Sequence, residues 1–79
     1  QIMANEMSKE VIEALAHTFN SPKVQALSND DYKQYIESCS ALTLGTLIHN
    51  EGRRYVKDFC QAALNSRDPL PMAQQVKAH

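Results

Sequence analysis

Residues 27–32 read Leu27-Ser28-Asn29-Asp30-Asp31-Tyr32 and have the signature of a helix start. A serine at the N-cap accepts a hydrogen bond from the first turn, and Asp31 at N3 can accept one in return from the Ser28 amide. Leu27 and Tyr32 have the spacing of a hydrophobic staple around this cap. The acidic run also places negative charge at the positive end of the helix dipole. A helix is therefore predicted to begin at Asn29.

Upstream of this cap, the apolar residues follow a helical period. They recur about every 3.6 positions, which indicates one buried face, at Met7, Val11, Ile12, Leu15 and Phe19. The predicted first helix is Asn5–Phe19. Ser21 and Pro22 then have the N-cap and N1 chemistry of a helix start, so a short helical turn is expected over Pro22–Leu27.

Downstream, the apolar residues form two stripes rather than one. The first stripe is Tyr32, Tyr35, Ile36, Cys39, Leu42 and Leu47, and the second is Ala41, Leu44, Ile48, Gly52, Tyr55, Phe59 and Ala63. The change of face allows two interpretations. Either a turn at residues 50–52 joins two helices, Asn29–His49 and Glu51–Leu64, or one long helix runs from Asn29 to about Leu64. The second stripe stays in phase across Gly52, which favours continuity, whereas the length of such a helix favours the turn.

Pro69 biases the residue before it away from helical geometry, and no alternating strand pattern is found along the sequence. The predicted fold class is therefore all-α, a small bundle of three to four helices. We expect a single helical domain over residues 1–79, with residues 1–4 and 66–79 peripheral or flexible.

Composition narrows the class of partner. Eight Lys and Arg balance nine Asp and Glu, and the net charge of −1 disfavours nucleic acid, whose binders usually carry a basic excess. The sequence has no apolar run long enough to span a membrane. Two cysteines without secretory features are typical of reduced thiols, so a cytoplasmic protein is expected.

The sequence predicts no catalytic, cofactor or metal site. Cys39 and Cys60 lack the Cys-x-x-Cys spacing of redox pairs and are interpreted as small hydrophobic residues. His17, His49 and His79 are too scattered for the recurrent spacing of zinc ligands. We therefore expect a protein that is not an enzyme.

The leading functional hypothesis is a small protein that binds another protein, as an accessory, regulatory or inhibitory factor, and that forms a homodimer. A chain this small cannot cover all the apolar faces of amphipathic helices, and association completes such cores. The predicted interface combines aromatic anchors with two glycines that allow close helix approach, namely Tyr32, Tyr35, Gly45, Gly52, Tyr55 and Phe59. The alternative is a DNA-binding regulator that uses the basic patch of Arg53, Arg54 and Lys57.

Overall fold

A computed structural model describes residues 7–68, 70, 72 and 73, and this part of the chain contains four α-helices and no strand. The helices are α1 (Lys9–Phe19), α2 (Pro22–Gln25), α3 (Asn29–Glu51) and α4 (Arg53–Leu64). The prediction of a small all-α protein is confirmed. The described residues divide into two compact units, one with α1 and α2, the other spanning Ser28–Arg67 with α3 and α4. That the chain forms one domain stays a prediction.

Serine residues cap the first three helices. The Ser8, Ser21 and Ser28 hydroxyl oxygens accept hydrogen bonds from the third residue of each helix, at 3.2, 3.3 and 3.2 Å. The Ser28 cap is therefore confirmed. The return bond from the Ser28 N–H to the Asp31 carboxylate, predicted from the capping-box spacing, is not formed between these two described residues.

The first two helices are shorter than predicted. We expected α1 to begin at Asn5, but it begins at Lys9 because Ser8 provides the cap, and Asn5 itself lies outside the described residues. We expected the second helical segment to reach Leu27, but α2 ends at Gln25. The reason is that Leu27 leads into Ser28, whose extended backbone (φ −64°, ψ 167°) is needed to cap α3.

A single residue separates α3 from α4. Gly52 has φ +92° and ψ 163°, a region of backbone space that is essentially reserved for glycine. Its N–H donates to the Ile48 carbonyl at 2.8 Å, and its own carbonyl accepts from Val56 at 3.3 Å. The two-helix interpretation is confirmed and the continuous helix is wrong. Because the break is confined to Gly52, α3 extends past His49 to Glu51, and α4 begins at Arg53 rather than Glu51.

Few side chains are buried. Ala16 and Val24 are buried in the unit of α1 and α2, and Val56 is buried in the unit of α3 and α4. None of the large side chains in the described part of the chain is completely buried. None of the described helices has the length and apolar character required to cross a membrane. The predicted peripheral segments, residues 1–4 and 66–79, lie largely outside the described residues.

Candidate interaction surface

The predicted aromatic anchors form two pairs, each within one helix. The Tyr32 and Tyr35 rings of α3 have centroids 6.3 Å apart and are tilted by 34°. The Tyr55 and Phe59 rings of α4 are 6.5 Å apart and stacked at 19°. These separations are typical of favourable aromatic contacts. Tyr55 is half exposed and the other three rings are half-buried, so each pair leaves aromatic area accessible.

Tyr35 also interacts with the thiol of Cys39, one turn further along α3. Partial burial raises the pKa of the Tyr35 hydroxyl above its ordinary value, and a side-chain hydrogen bond with Cys39 acts in the same direction. Both effects favour the neutral phenol. Cys39 and Cys60 are free thiols and are half-buried, and that they act as small hydrophobic residues stays a prediction.

The two predicted interface glycines differ in what they do. Gly52 forms the break between α3 and α4, whereas Gly45 lies inside α3 with helical geometry. A Cβ built at either position would have no neighbouring atom within 4 Å. The space beside Gly45 is therefore open with respect to the residues that the structure describes, and none of the four described helices approaches it closely.

The longest helix contributes the least to the core. No residue of α3 is buried along its 23 residues. Its first apolar stripe was predicted as one face, but Leu42 is 73% exposed while Tyr32, Tyr35, Ile36, Cys39 and Leu47 are half-buried. Leu42 is therefore the one residue of this stripe that is exposed rather than half-buried.

We name the surface around this side chain the Leu42 face. Each residue turns a helix by about 100°, so the face comprises the α3 positions within about 40° of Leu42, which are Asp31, Tyr35, Ser38, Leu42, Thr46 and His49. Tyr35 is half-buried and the other five are exposed. The sequence carried a signal for this face, because the neighbours of Leu42 one turn away, Ser38 and Thr46, are small and polar and cannot form a core with it.

The predicted basic patch is placed at the start of α4. Arg53, Arg54 and Lys57 are exposed and make no ion pair with any residue that the structure describes. No side chain caps this helix and its first turn contains no acidic residue. Positive charge at a helix N-terminus is unfavourable because it faces the positive end of the dipole. The patch is thus accessible to an acidic partner.

Within the described residues, no group of three or more His, Cys, Asp or Glu side chains could hold a metal ion. No family model matches the chain, and no curated protein or solved structure is significantly similar to it. The exposed surfaces of α3 and α4 are therefore the features of the described residues that bear on function.

Proposed function

We propose that this protein acts by binding another protein, that it has no catalytic activity, and that it forms a homodimer through α3 and α4. An accessory, regulatory or inhibitory role in the cytoplasm is part of the same proposal. The two free thiols are compatible with that compartment.

One observation carries the proposal: α3 is 23 residues long and buries none of them. Most of the stability of protein helices comes from packing of their apolar faces rather than from intrinsic propensity. The unit that contains α3 has one buried hydrophobic residue, Val56, but exposes Leu42 by 73%, Tyr55 by 50% and Leu64 by 85%. Association with a second helical surface would cover the large apolar side chains that α3 and α4 leave exposed.

The experiment is sedimentation equilibrium of the full chain over a range of micromolar concentrations. The expected result is a mass twice that of the 8.9 kDa monomer, with a monomer fraction that grows on dilution. Leu42→Asp is expected to shift the distribution towards monomer. Gln34→Asp is the matched control, because Gln34 is exposed on the same helix but outside the Leu42 face, and its replacement adds the same single negative charge. A monomer at every concentration would contradict the homodimer.

A second candidate function is nucleic-acid binding by the basic patch. The observation in its favour is that Arg53, Arg54 and Lys57 are all exposed and free of ion pairs with described residues. Such binding would weaken steeply with salt, because phosphate contacts release counterions. The test is the fluorescence anisotropy of labelled duplex DNA to which the protein is added at low salt. No change in anisotropy would exclude nucleic-acid binding by the basic patch.

A further inference from the structure

We infer that Gly52 is a hinge, and that α3 and α4 straighten into one continuous helix when two copies of this chain associate. The single chain is bent at Gly52, and the inference concerns a second arrangement of the same residues. It rests on the proposed homodimer and states the shape that each subunit takes in it.

The first argument is that the bend interrupts little of the helix. The Gly52 N–H donates to the Ile48 carbonyl at 2.8 Å and the Val56 N–H donates to the Gly52 carbonyl at 3.3 Å, so both bonds already join residues four apart, as in an α-helix. A continuous helix needs only the further bonds from the N–H groups of residues 53–55 to the carbonyls of residues 49–51. No described side chain caps these N–H groups. Because glycine adopts positive and negative φ about equally well, rotation at Gly52 alone can exchange the two forms.

The second argument is the charge at the junction, which favours the straight form. In the bent chain, Glu51 at the end of α3 and Arg54 at the start of α4 each oppose a helix dipole. A continuous helix has no ends at this point. Arg54 is then three residues after Glu51 and four before Asp58, which are spacings that support a helix.

Packing is what favours the bent form in the single chain. The two helices are in contact, and Val56 is buried in the unit that they form. Straightening separates α4 from α3 and returns this side chain to water. A second copy that covers Val56 removes the advantage of the bend, so association and straightening are linked.

The third argument is that the straight helix has an apolar face that fits a second copy of itself. Each residue turns a helix by about 100°, so the positions within about 40° of Gly52 share one face once the helix is continuous. Between residues 40 and 64 this hinge face comprises Ala41, Gly45, Ile48, Gly52, Val56, Phe59 and Ala63. It contains no polar side chain, and the charged residues of the junction lie outside it.

The hinge face is complementary to itself in an antiparallel pair centred on Gly52, where the numbers of opposing residues sum to twice 52. Phe59 lies opposite Gly45 of the partner subunit, where no described atom comes within 4 Å of a Cβ position, so the ring has space to enter. Val56 lies opposite Ile48 of the partner subunit, which covers the side chain that the bend buries in the single chain. One face thus supplies both sides of the contact, as a two-fold dimer requires.

The experiment follows the distance across the hinge by energy transfer between two dyes on the full chain. In a Cys39→Ser, Cys60→Ser background, the dyes are attached at Asn29→Cys and Gln61→Cys, which are exposed positions outside the hinge face. In the straight helix they are about 48 Å apart at 1.5 Å per residue, and any bend brings them closer. A trace of labelled chain is titrated with unlabelled original chain, so that each dimer contains at most one labelled subunit. Energy transfer is expected to fall as dimers form.

The matched control has the dyes at Asn29→Cys and Asn50→Cys, both within α3 and both exposed. Their separation of about 31 Å does not depend on the hinge. Energy transfer in this pair is expected to stay constant through the same titration. An equal fall in both pairs would show that the change is not at Gly52 and would overturn the inference.

A second variant tests the hinge face itself. Gly45→Leu meets no described neighbour in the single chain but fills the space that Phe59 of the partner subunit enters. Dimerisation is expected to weaken by at least about 10-fold, because the clash occurs twice in each dimer. Ser40→Leu is the matched control, since Ser40 is exposed on α3 outside the hinge face and receives the same side chain. Circular dichroism checks that both variants remain helical.

The outcomes separate the two proposals. Constant energy transfer across Gly52 in a chain that sedimentation shows to dimerise would mean that bent subunits associate, which overturns the inference but leaves the homodimer. Low transfer already in the dilute monomer would mean that the helix is always straight and would also overturn it. Equally tight dimers of Gly45→Leu and Ser40→Leu would place the contact elsewhere, with the same consequence. A chain that is monomeric at every concentration would overturn the homodimer and this inference together.

Discussion

At the scale of single residues, Gly45 and Gly52 show how one residue type serves two roles. Gly52 has a positive φ that other residues rarely adopt, and this conformation ends α3. Gly45 has ordinary helical geometry in the interior of α3, where glycine costs roughly 1 kcal/mol relative to alanine. Neither glycine makes room for another described segment, because among the described residues no neighbour lies within 4 Å of where a Cβ would be.

The two glycines provide a matched pair of substitutions. Gly45→Ala is expected to raise the free energy of unfolding by up to about 1 kcal/mol, because alanine favours the helix and meets no neighbour. Gly52→Ala is expected to lower it by about 1–3 kcal/mol, because alanine is strained at this φ. Urea denaturation followed by circular dichroism measures both. A rise in stability for Gly52→Ala would contradict the break and indicate that α3 and α4 join into one helix.

At the scale of elements, the junction between α3 and α4 has charges that suit neither helix end. Glu51 lies at the negative end of α3, and Arg53 and Arg54 lie at the positive end of α4, so all three oppose the helix dipoles. Glu51 with Arg54, and Arg54 with Asp58, nevertheless have helix-supporting spacings. This explains why the sequence favoured both interpretations of residues 29–64: local charge pairing favours continuity, whereas Gly52 permits the break.

The unit of α3 and α4 has one buried hydrophobic side chain, Val56, which is therefore expected to contribute a large share of the stability of this unit. Val56→Ala is expected to lower the free energy of unfolding by about 2 kcal/mol, since two buried methyl groups are lost. Leu64→Ala is the control in the same helix, because Leu64 is 85% exposed and its truncation removes almost no contact. Thermal and urea denaturation measure the free energy of unfolding of both variants. An equal decrease in the two variants would show that Leu64 is packed against another surface in solution.

At the scale of the whole molecule, the described residues contain three buried hydrophobic side chains, all of them small or medium in size. A chain of this length is marginally stable even with a well-filled core. Association would add the apolar contacts that the separate units lack. In such a protein, the stability of the fold and the affinity of the dimer are linked by mass action.

This linkage predicts that the melting temperature depends on protein concentration. The melting temperature of the original chain is expected to rise as the concentration increases from low micromolar to near-millimolar values, because dimerisation stabilises only the folded state. Leu42→Asp is expected to show a smaller rise over the same range. Differential scanning calorimetry at matched concentrations measures both. A melting temperature independent of concentration in the original chain would contradict linked folding and dimerisation.

The sequence alone determined the helical class, the Ser28 cap and the end of α4 at Leu64, because capping chemistry and apolar periodicity act within a few residues of the chain. The Ser8 cap could also be predicted from capping chemistry. The predicted start of the first helix at Asn5 was wrong because the apolar period continues upstream of Ser8 to Met7. Tertiary structure decided where α3 ends, because Gly52 is compatible with both a helix interior and a break. It also decided that Leu42 is exposed while the rest of its stripe is half-buried. Burial depends on which neighbours pack against a helix, and the periodicity of a single helix does not specify them.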